Sequence, residues 1–297
     1  MTHAQSAPST GETRLVAPCK INLHLRILGR RPDGYHDLET LFLALPQPAD
    51  ELVIRPLPGD GGLRLACSDP ALDGPDNLVA RAYRAYGQTT GYFPALDVFL
   101  DKRIPAGSGL GGASSDAACL LAYLNRHAPK PVSAPELSCL GARLGADVPF
   151  FLQDGPALAQ GIGEKLTPFP LDLCGFALVL ICPGERMNTA WAYRAYDEQS
   201  GNAVPPPESL LTSAFHRNIR PFCVTGLPLY NSFEGVVFTA LPGLRRLKET
   251  LFSLGAAGAA LSGSGSAMFG LFRDREKARQ AVAELVRQGV DGRLVLP

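Results

Sequence analysis

Ile104-Pro105-Ala106-Gly107-Ser108-Gly109-Leu110-Gly111-Gly112-Ala113-Ser114-Ser115-Asp116-Ala117 decides the reading of this chain. Four glycines stand among the six residues from Gly107 to Gly112, and the apolar positions Ala117, Ala118, Leu120, Leu121 and Leu124 follow at helical spacing. Ordinary turns need one or two glycines. A denser set lets the backbone pass close to a bulky polyanion, and the helix behind it offers unpaired N–H groups and a positive dipole end to the same place. The stretch is therefore expected to cradle phosphates.

Its lookalikes fail on their second requirements. Gly107, Gly109 and Gly112 satisfy G-x-G-x-x-G after a strand-like Val98 to Ile104, but a dinucleotide site also needs an acidic residue ending a second strand about twenty residues on. Pro129 and Pro131 interrupt the chain there, and Glu136 falls in another helical stretch. No G-K-[S/T] of a Walker loop is present, nor the H-R-D and D-F-G of protein kinases.

Outward from the loop, Leu15 to Ile27 alternates cleanly, with Pro18, Lys20, Asn22, His24 and Arg26 on one face. That period predicts a half-buried strand from which Lys20 and Asn22 project side by side. Further strands are expected at Glu51 to Arg55, Leu63 to Cys67, Leu96 to Ile104, Ala157 to Gln160, Phe176 to Ile181 and Gly292 to Leu296, and on both sides of the Ser262 to Ser266 turn. Helices are expected at Asn77 to Tyr86, from Ser114, and at Ala134 to Leu144, Thr189 to Tyr196, Glu208 to Phe215, Ser232 to Ala240 and Leu244 to Leu254, with a last one capped by Asp274. Strands interleaved with helices point to α+β or α/β architecture. The pattern restarts after Gly155, which suggests a boundary near 155–165, and the prolines of Val204 to Glu208 read as a surface excursion.

Composition narrows the function classes. At 297 residues and 46% hydrophobic, the chain can bury one large or two moderate cores. Lys plus Arg equals Asp plus Glu at 28 each, so no net field favours nucleic acid or an acidic membrane. Seven scattered cysteines without a C-x-x-C pair suggest reduced core thiols of a cytoplasmic protein. Met1 to Glu12 resembles neither a signal nor a transit peptide and reads as a disordered tail. No metal-ligand spacing is visible, and neither His127 nor His216 has an evident partner.

Leu144 to Phe151, L-G-A-D-V-P-F-F, sets Asp147 between a helical run and an apolar stretch. Alone it would read as a turn aspartate. With a phosphate cradle and a strand-face lysine it completes the minimum for phosphoryl transfer to a hydroxyl: one part holds the donor, one stabilises charge, one accepts the proton.

A-P-C-K-I-N-L, P-A-G-S-G-L-G-G-A-S-S and L-S-G-S-G-S, in this order, resemble the three motifs of the GHMP small-molecule kinases. R-P-D-G-Y-H at Arg31 to His36, G-A-D-V-P-F-F and G-I-G-E at Gly161 to Glu164 resemble the branch of that family acting on diphosphocytidyl-methylerythritol in the non-mevalonate isoprenoid route. The resemblance implies a two-domain α+β GHMP fold, with a ribosomal-protein-S5-like α/β domain over 14–160 carrying the phosphate loop and a ferredoxin-like α+β domain over 161–297. It further implies ATP and Mg²⁺, with transfer of the γ-phosphoryl group to the substrate 2-hydroxyl. Asp147 is then the base and Lys20 its electrostatic partner. Tyr35 and Tyr193 would sandwich the cytosine, His36 would read its edge, and Asn22 and Thr189 would bind polar groups of the substrate. Asn77 and Lys102 would lie near the nucleoside. Pro105, Ala106, Gly107, Ser108, Gly109, Leu110, Gly111 and Gly112 would face the phosphates through their backbone, with Ser114 or Ser115 near the phosphates or Mg²⁺. Cys19 stands where the family usually has alanine, and Ser232 where aspartate commonly follows the asparagine. The alternatives are a GHMP kinase of homoserine or mevalonate type and a nucleotide-binding sensor without turnover.

Overall fold

The computed structural model describes residues 11–59, 61–173, 175–200, 222–223 and 229–295. The expected helix at Glu208 to Phe215, the proline run, His216, Cys174 and most of the N-terminal tail lie outside them. The chain divides into two compact units that interleave in sequence: residues 1–18, 48–103 and 112–152, and residues 19–47, 104–111 and 153–297.

Two long strands, β1 (Thr13–Arg30) and β2 (His36–Pro56), contribute to both units. In the first unit the Glu51 to Pro56 end of β2 pairs antiparallel with β4 (Ala95–Asp101), which pairs parallel with β3 (Gly62–Cys67). Helices α1 (Leu78–Thr90), α2 (Gly112–His127) and α3 (Ala134–Leu144) pack with these strands around one core that includes Tyr86, Leu96, Leu120, Leu121 and Val148. The start of α3 is dictated locally. Ser133 and Glu136 form a reciprocal capping box, and proline occupies the first turn where a missing N–H does no harm.

In the second unit, Leu38 to Phe42 of β2 pairs with β5 (Ala157–Gly161), and β5 with β6 (Lys165–Pro168). β7 (Leu171–Asp172) pairs with β9 (Phe222–Cys223). A four-stranded antiparallel sheet runs β11 (Gly258–Leu261), β12 (Met268–Phe272), β8 (Ala177–Ile181), β13 (Gly292–Val295). It packs with α4 (Thr189–Ser200), α5 (Glu234–Ala240), α6 (Pro242–Ser253) and α7 (Arg275–Arg287), the last capped by Asp274 as its sequence predicts. Strand β10 (Tyr230–Asn231) lies parallel to β1 at His24 and Leu25.

Several expectations need correction. β2 is far longer than Glu51 to Arg55, because Pro46 and Pro48 read as strand breakers. They fall between the stretch paired with β5 and the stretch paired with β4, where ladder hydrogen bonds to those strands are not required. β1 is not half-buried: from Ala17 to Ile27 only Pro18 has more than slight exposure, so the polar face is covered as well as the apolar one. His127 does have a partner, its Nδ1 lying 2.8 Å from the Tyr123 carbonyl at helical spacing, with the two rings 4.2 Å apart. Cys19, Cys67, Cys119, Cys139 and Cys182 are free, but Cys139 is exposed and Cys119 only half-buried, so not all are core thiols. Among the described residues no helix is long and apolar enough to cross a membrane.

Candidate active site

Lys20 leaves β1 on the polar face and is 3% exposed. Its ammonium donates to Asn22 Oδ1 at 2.7 Å and to the Gly109 carbonyl at 3.1 Å, and it lies 5.0 Å from the centre of the Phe42 ring. A buried ammonium has only donors to offer and must find acceptors. The Asn22 and Gly109 carbonyl dipoles and the Phe42 ring face all help to orient the charge.

The glycine loop is tied down by its carbonyls. Gly107 O accepts from Met187 N at 2.9 Å, Ser108 O from Ala267 N at 3.0 Å and Leu110 O from Lys20 N at 2.9 Å. Gly109 O accepts from both Lys20 Nζ and Ser262 Oγ, each at 3.1 Å. With four consecutive carbonyls bound into the protein, the amides are the groups left for an anion. Gly107, Gly109 and Gly111 have φ of 69°, 78° and 73°, and left-handed residues at alternate positions make the N–H concavity that binds anions. Gly109 is required for a second reason: a Cβ there would lie 2.2 Å from Ser262 O. The Ser262 to Ser266 turn thus seats directly on the loop, a contact that sequence flagged as a motif without assigning it a role.

In the first unit, α2 begins at Gly112 immediately after the loop ends in sequence. Ser115 Oγ in its first turn is buried with no hydrogen-bond partner. A Cβ on Gly145 would sit 3.6 Å from Ser114 Oγ, which places the helix start beside the turn that carries Asp147. Asp147 is half-buried between the C-cap of α3 at Gly145 and the short 3₁₀ turn Pro149–Leu152. Lys102 lies between two carboxylates, bonded to Asp50 and to Asp116 at 2.7 Å. Burial alone would lower its pKa, but the pull of Asp116 and Asp50 outweighs it and raises the value. Burial pushes Asp116 up to about 7 against the attraction of Lys102, with the neighbouring Asp50 charge adding to the rise. Asn77 is committed locally, its Oδ1 capping α1 at Val79 N (2.9 Å) and its Nδ2 donating to Leu72 O (2.8 Å).

The aromatic residues gather in the second unit. The His36 ring stacks on Tyr193 with centroids 4.6 Å apart and planes 19° from parallel, and His36 Nε2 lies 2.7 Å from Asp197 Oδ1. Tyr35, next to His36 in sequence, is 61% exposed, its N–H bonded to Asp33 at 3.1 Å. Thr189 Oγ1 is 2.9 Å from Ser264 Oγ. Thr189, Tyr193 and Asp197 follow at i, i+4 and i+8 on α4, one stripe of a helix. Asp197 was not singled out from the sequence; that spacing is the signal that could have found it. Lys20, Asn22, the loop as far as Gly111, Tyr35, His36, Thr189 and Tyr193 thus belong to one unit, and Asn77, Lys102, Gly112, Ser114, Ser115 and Asp147 to the other.

A glycine loop anchored through its carbonyls beside a buried ammonium is an arrangement suited to an anion, the kind of site a phosphotransferase needs. Residues 77–155 match the GHMP kinases N terminal domain and residues 212–291 match the GHMP kinases C terminal domain. The chain belongs to the GHMP kinase family and is an ATP-dependent small-molecule kinase. Within that family it is 54% identical over 279 residues, covering 94% of both chains, to the 4-diphosphocytidyl-2-C-methyl-D-erythritol kinase of Solidesulfovibrio magneticus. A crystal structure of 4-(cytidine 5'-diphospho)-2C-methyl-D-erythritol kinase is 37% identical with a TM-score of 0.75, covering 95% of this chain and 98% of that one. A homoserine kinase from Cytophaga hutchinsonii, 18% identical with a TM-score of 0.67 over 98% of this chain and 96% of its own, shares the fold alone.

Proposed function

We propose that this kinase transfers the γ-phosphoryl group of ATP to the 2-hydroxyl of 4-diphosphocytidyl-2-C-methyl-D-erythritol. The observation that carries the reading is the buried Lys20 ammonium held at Gly109 of the phosphate loop. The 54% identical relative's name and the D-G-Y-H element support this substrate over homoserine or mevalonate. The 14–160 and 161–297 division stands in the same proposal as the two family domains.

In this reading Asp147 takes the hydroxyl proton as the substrate oxygen bonds to the γ-phosphorus and the bond to the ADP oxygen breaks. Lys20 offsets the negative charge that the approaching oxygens bring together. A tertiary alcohol is a poor acid, so in-line positioning contributes more than the strength of the base. The cytidine end would be taken by Tyr35, His36 and Tyr193, with Asp197 holding the His36 ring through Nε2. Asn22 and Thr189 would meet polar groups of the substrate, and Asn77 and Lys102 would border the nucleoside.

The residues present fit Mg²⁺ as a partner of the triphosphate. No group of three His, Cys, Asp or Glu among the described residues could hold a metal, so the ion would take most of its ligands from phosphate and water, and the unpartnered Ser115 Oγ is a suitable hard oxygen. Bound there, Mg²⁺ neutralises triphosphate charge, which the lysine-free loop does not.

A coupled ADP-release assay comparing diphosphocytidyl-methylerythritol with homoserine and mevalonate tests the substrate. Equal turnover of either competitor overturns it. Asp147→Asn is expected to lower kcat by about 10²–10⁴-fold while ATP binding by calorimetry persists; full turnover in a folded variant removes Asp147 as the base.

A further inference from the structure

The ammonium of Lys20 is aimed by a residue it does not touch. Asn22 Oδ1 accepts from Lys20 Nζ at 2.7 Å, and Asn22 Nδ2 donates to Thr40 Oγ1 at 2.7 Å. Thr40 Oγ1 in turn donates to the His24 carbonyl at 2.6 Å. Lys20, Asn22 and Thr40 are 3%, 2% and 1% exposed, so water does not compete for these groups. A hydroxyl has one proton. Thr40 gives its proton to His24 O and can then only accept, so the end of the Asn22 amide facing it must be the NH₂ group. The carbonyl end is thereby turned toward Lys20, which as an ammonium can only donate.

We infer that Thr40 is a positioning residue for phosphoryl transfer: its hydroxyl fixes which end of the Asn22 amide meets Lys20 and so holds the ammonium in place. This rests on the proposed role of Lys20. The chain of bonds runs between neighbouring strands, His24 and Asn22 on β1 and Thr40 on β2, so rigid backbone rather than a loop sets it. Without the hydroxyl, the amide gains nothing from its present orientation at one end. A 180° turn would set NH₂ against the ammonium, donor against donor.

Thr40→Val keeps the shape and removes only the polar relay. Expected is a fall in kcat of about 5–30-fold, the size of one or two hydrogen bonds lost in the transition state, with KM for ATP unchanged. Thr40→Ser, which keeps the hydroxyl but leaves a methyl-sized gap, is expected to recover most of kcat while melting lower than wild type. A purely structural residue would show the reverse order, with kcat following the melting temperature. Because Thr40 acts through Asn22, Thr40→Val is expected to add no further loss in an Asn22→Ala background. Unchanged kcat in Thr40→Val, additive losses in the double variant, or no rescue by serine overturns the inference. Should Thr40→Val fail to fold, full turnover in Asn22→Ala still overturns the inference, and wild-type-like kcat in a Thr40→Ser variant that melts lower still supports it. Lys20→Met in the same assay separates the two levels: full turnover in that variant sinks the Lys20 assignment itself, whereas a large loss with additive Thr40 and Asn22 effects sinks only the relay.

Discussion

Replacing Gly109 with alanine tests the geometry of the proposed phosphate loop most directly. The new Cβ would lie 2.2 Å from Ser262 O, 3.1 Å from Ser262 C and 3.2 Å from Gly265 N, where ordinary contact begins near 3.4 Å. These are backbone atoms of the turn between β11 and β12, so no flexible side chain can swing aside. The loop or the turn must retreat by more than an ångström. The residue also has φ of 78°, where a side chain costs about 1–2 kcal/mol, and overpacking adds about 1–3 kcal/mol. The sum, about 2–5 kcal/mol, corresponds to a melting temperature lower by on the order of 10 °C. Gly109 O is also the shared acceptor for Lys20 and Ser262 at 3.1 Å. A displacement of about 1 Å breaks both bonds and is expected to lower kcat by at least about 10²-fold. Gly107→Ala is the internal comparison. Its φ of 69° carries the same backbone cost, but its Cβ would meet nothing nearer than Met187 O at 3.2 Å. Thermal melts and ADP release of the two purified variants should therefore separate clearly. If both melt together and turn over alike, close approach of the Ser262 turn is not what fixes the loop.

Asp116 has a folded pKa near 7, above its unfolded value, so its contribution to stability is full below about pH 4 and is lost as pH rises to 7. Denaturation of wild type and Asp116→Asn from pH 4 to 8 should show wild type losing up to about 4 kcal/mol relative to the variant; a constant difference would refute the shift. Ser115→Ala removes a buried hydroxyl that has no partner, so stability should hold or rise slightly, while KM for MgATP rises about tenfold if that oxygen serves the phosphates or metal. Asn231→Ala removes donors to Leu261 O and Gly263 O, both at 2.8 Å, and an acceptor for Phe233 N at 2.9 Å. Urea titration should find it about 2–4 kcal/mol less stable, and a loss below measurement error would show that Asn231 does not clamp the Ser262 turn.

The sequence alone determined the elements whose signals are local. Gly107 to Gly112 announced a tight glycine turn, because left-handed backbone and close approach demand glycine. Ser133 with Glu136, and Asp274, marked helix starts through their caps. The order of three motifs fixed the family. Tertiary structure decided what depends on partners distant in the chain. Periodicity placed Lys20 and Asn22 on a polar face, but a period of two cannot say whether solvent or protein covers that face, and burial by the glycine loop and the Ser262 turn is a long-range outcome. Nor could spacing reveal that Lys102 would lie between Asp50 and Asp116, that His36 would stack on Tyr193, or that Thr40 would orient Asn22. Those contacts join residues that no local rule connects, because which acceptor a buried donor meets is set by how strands and turns pack, not by the residues beside it.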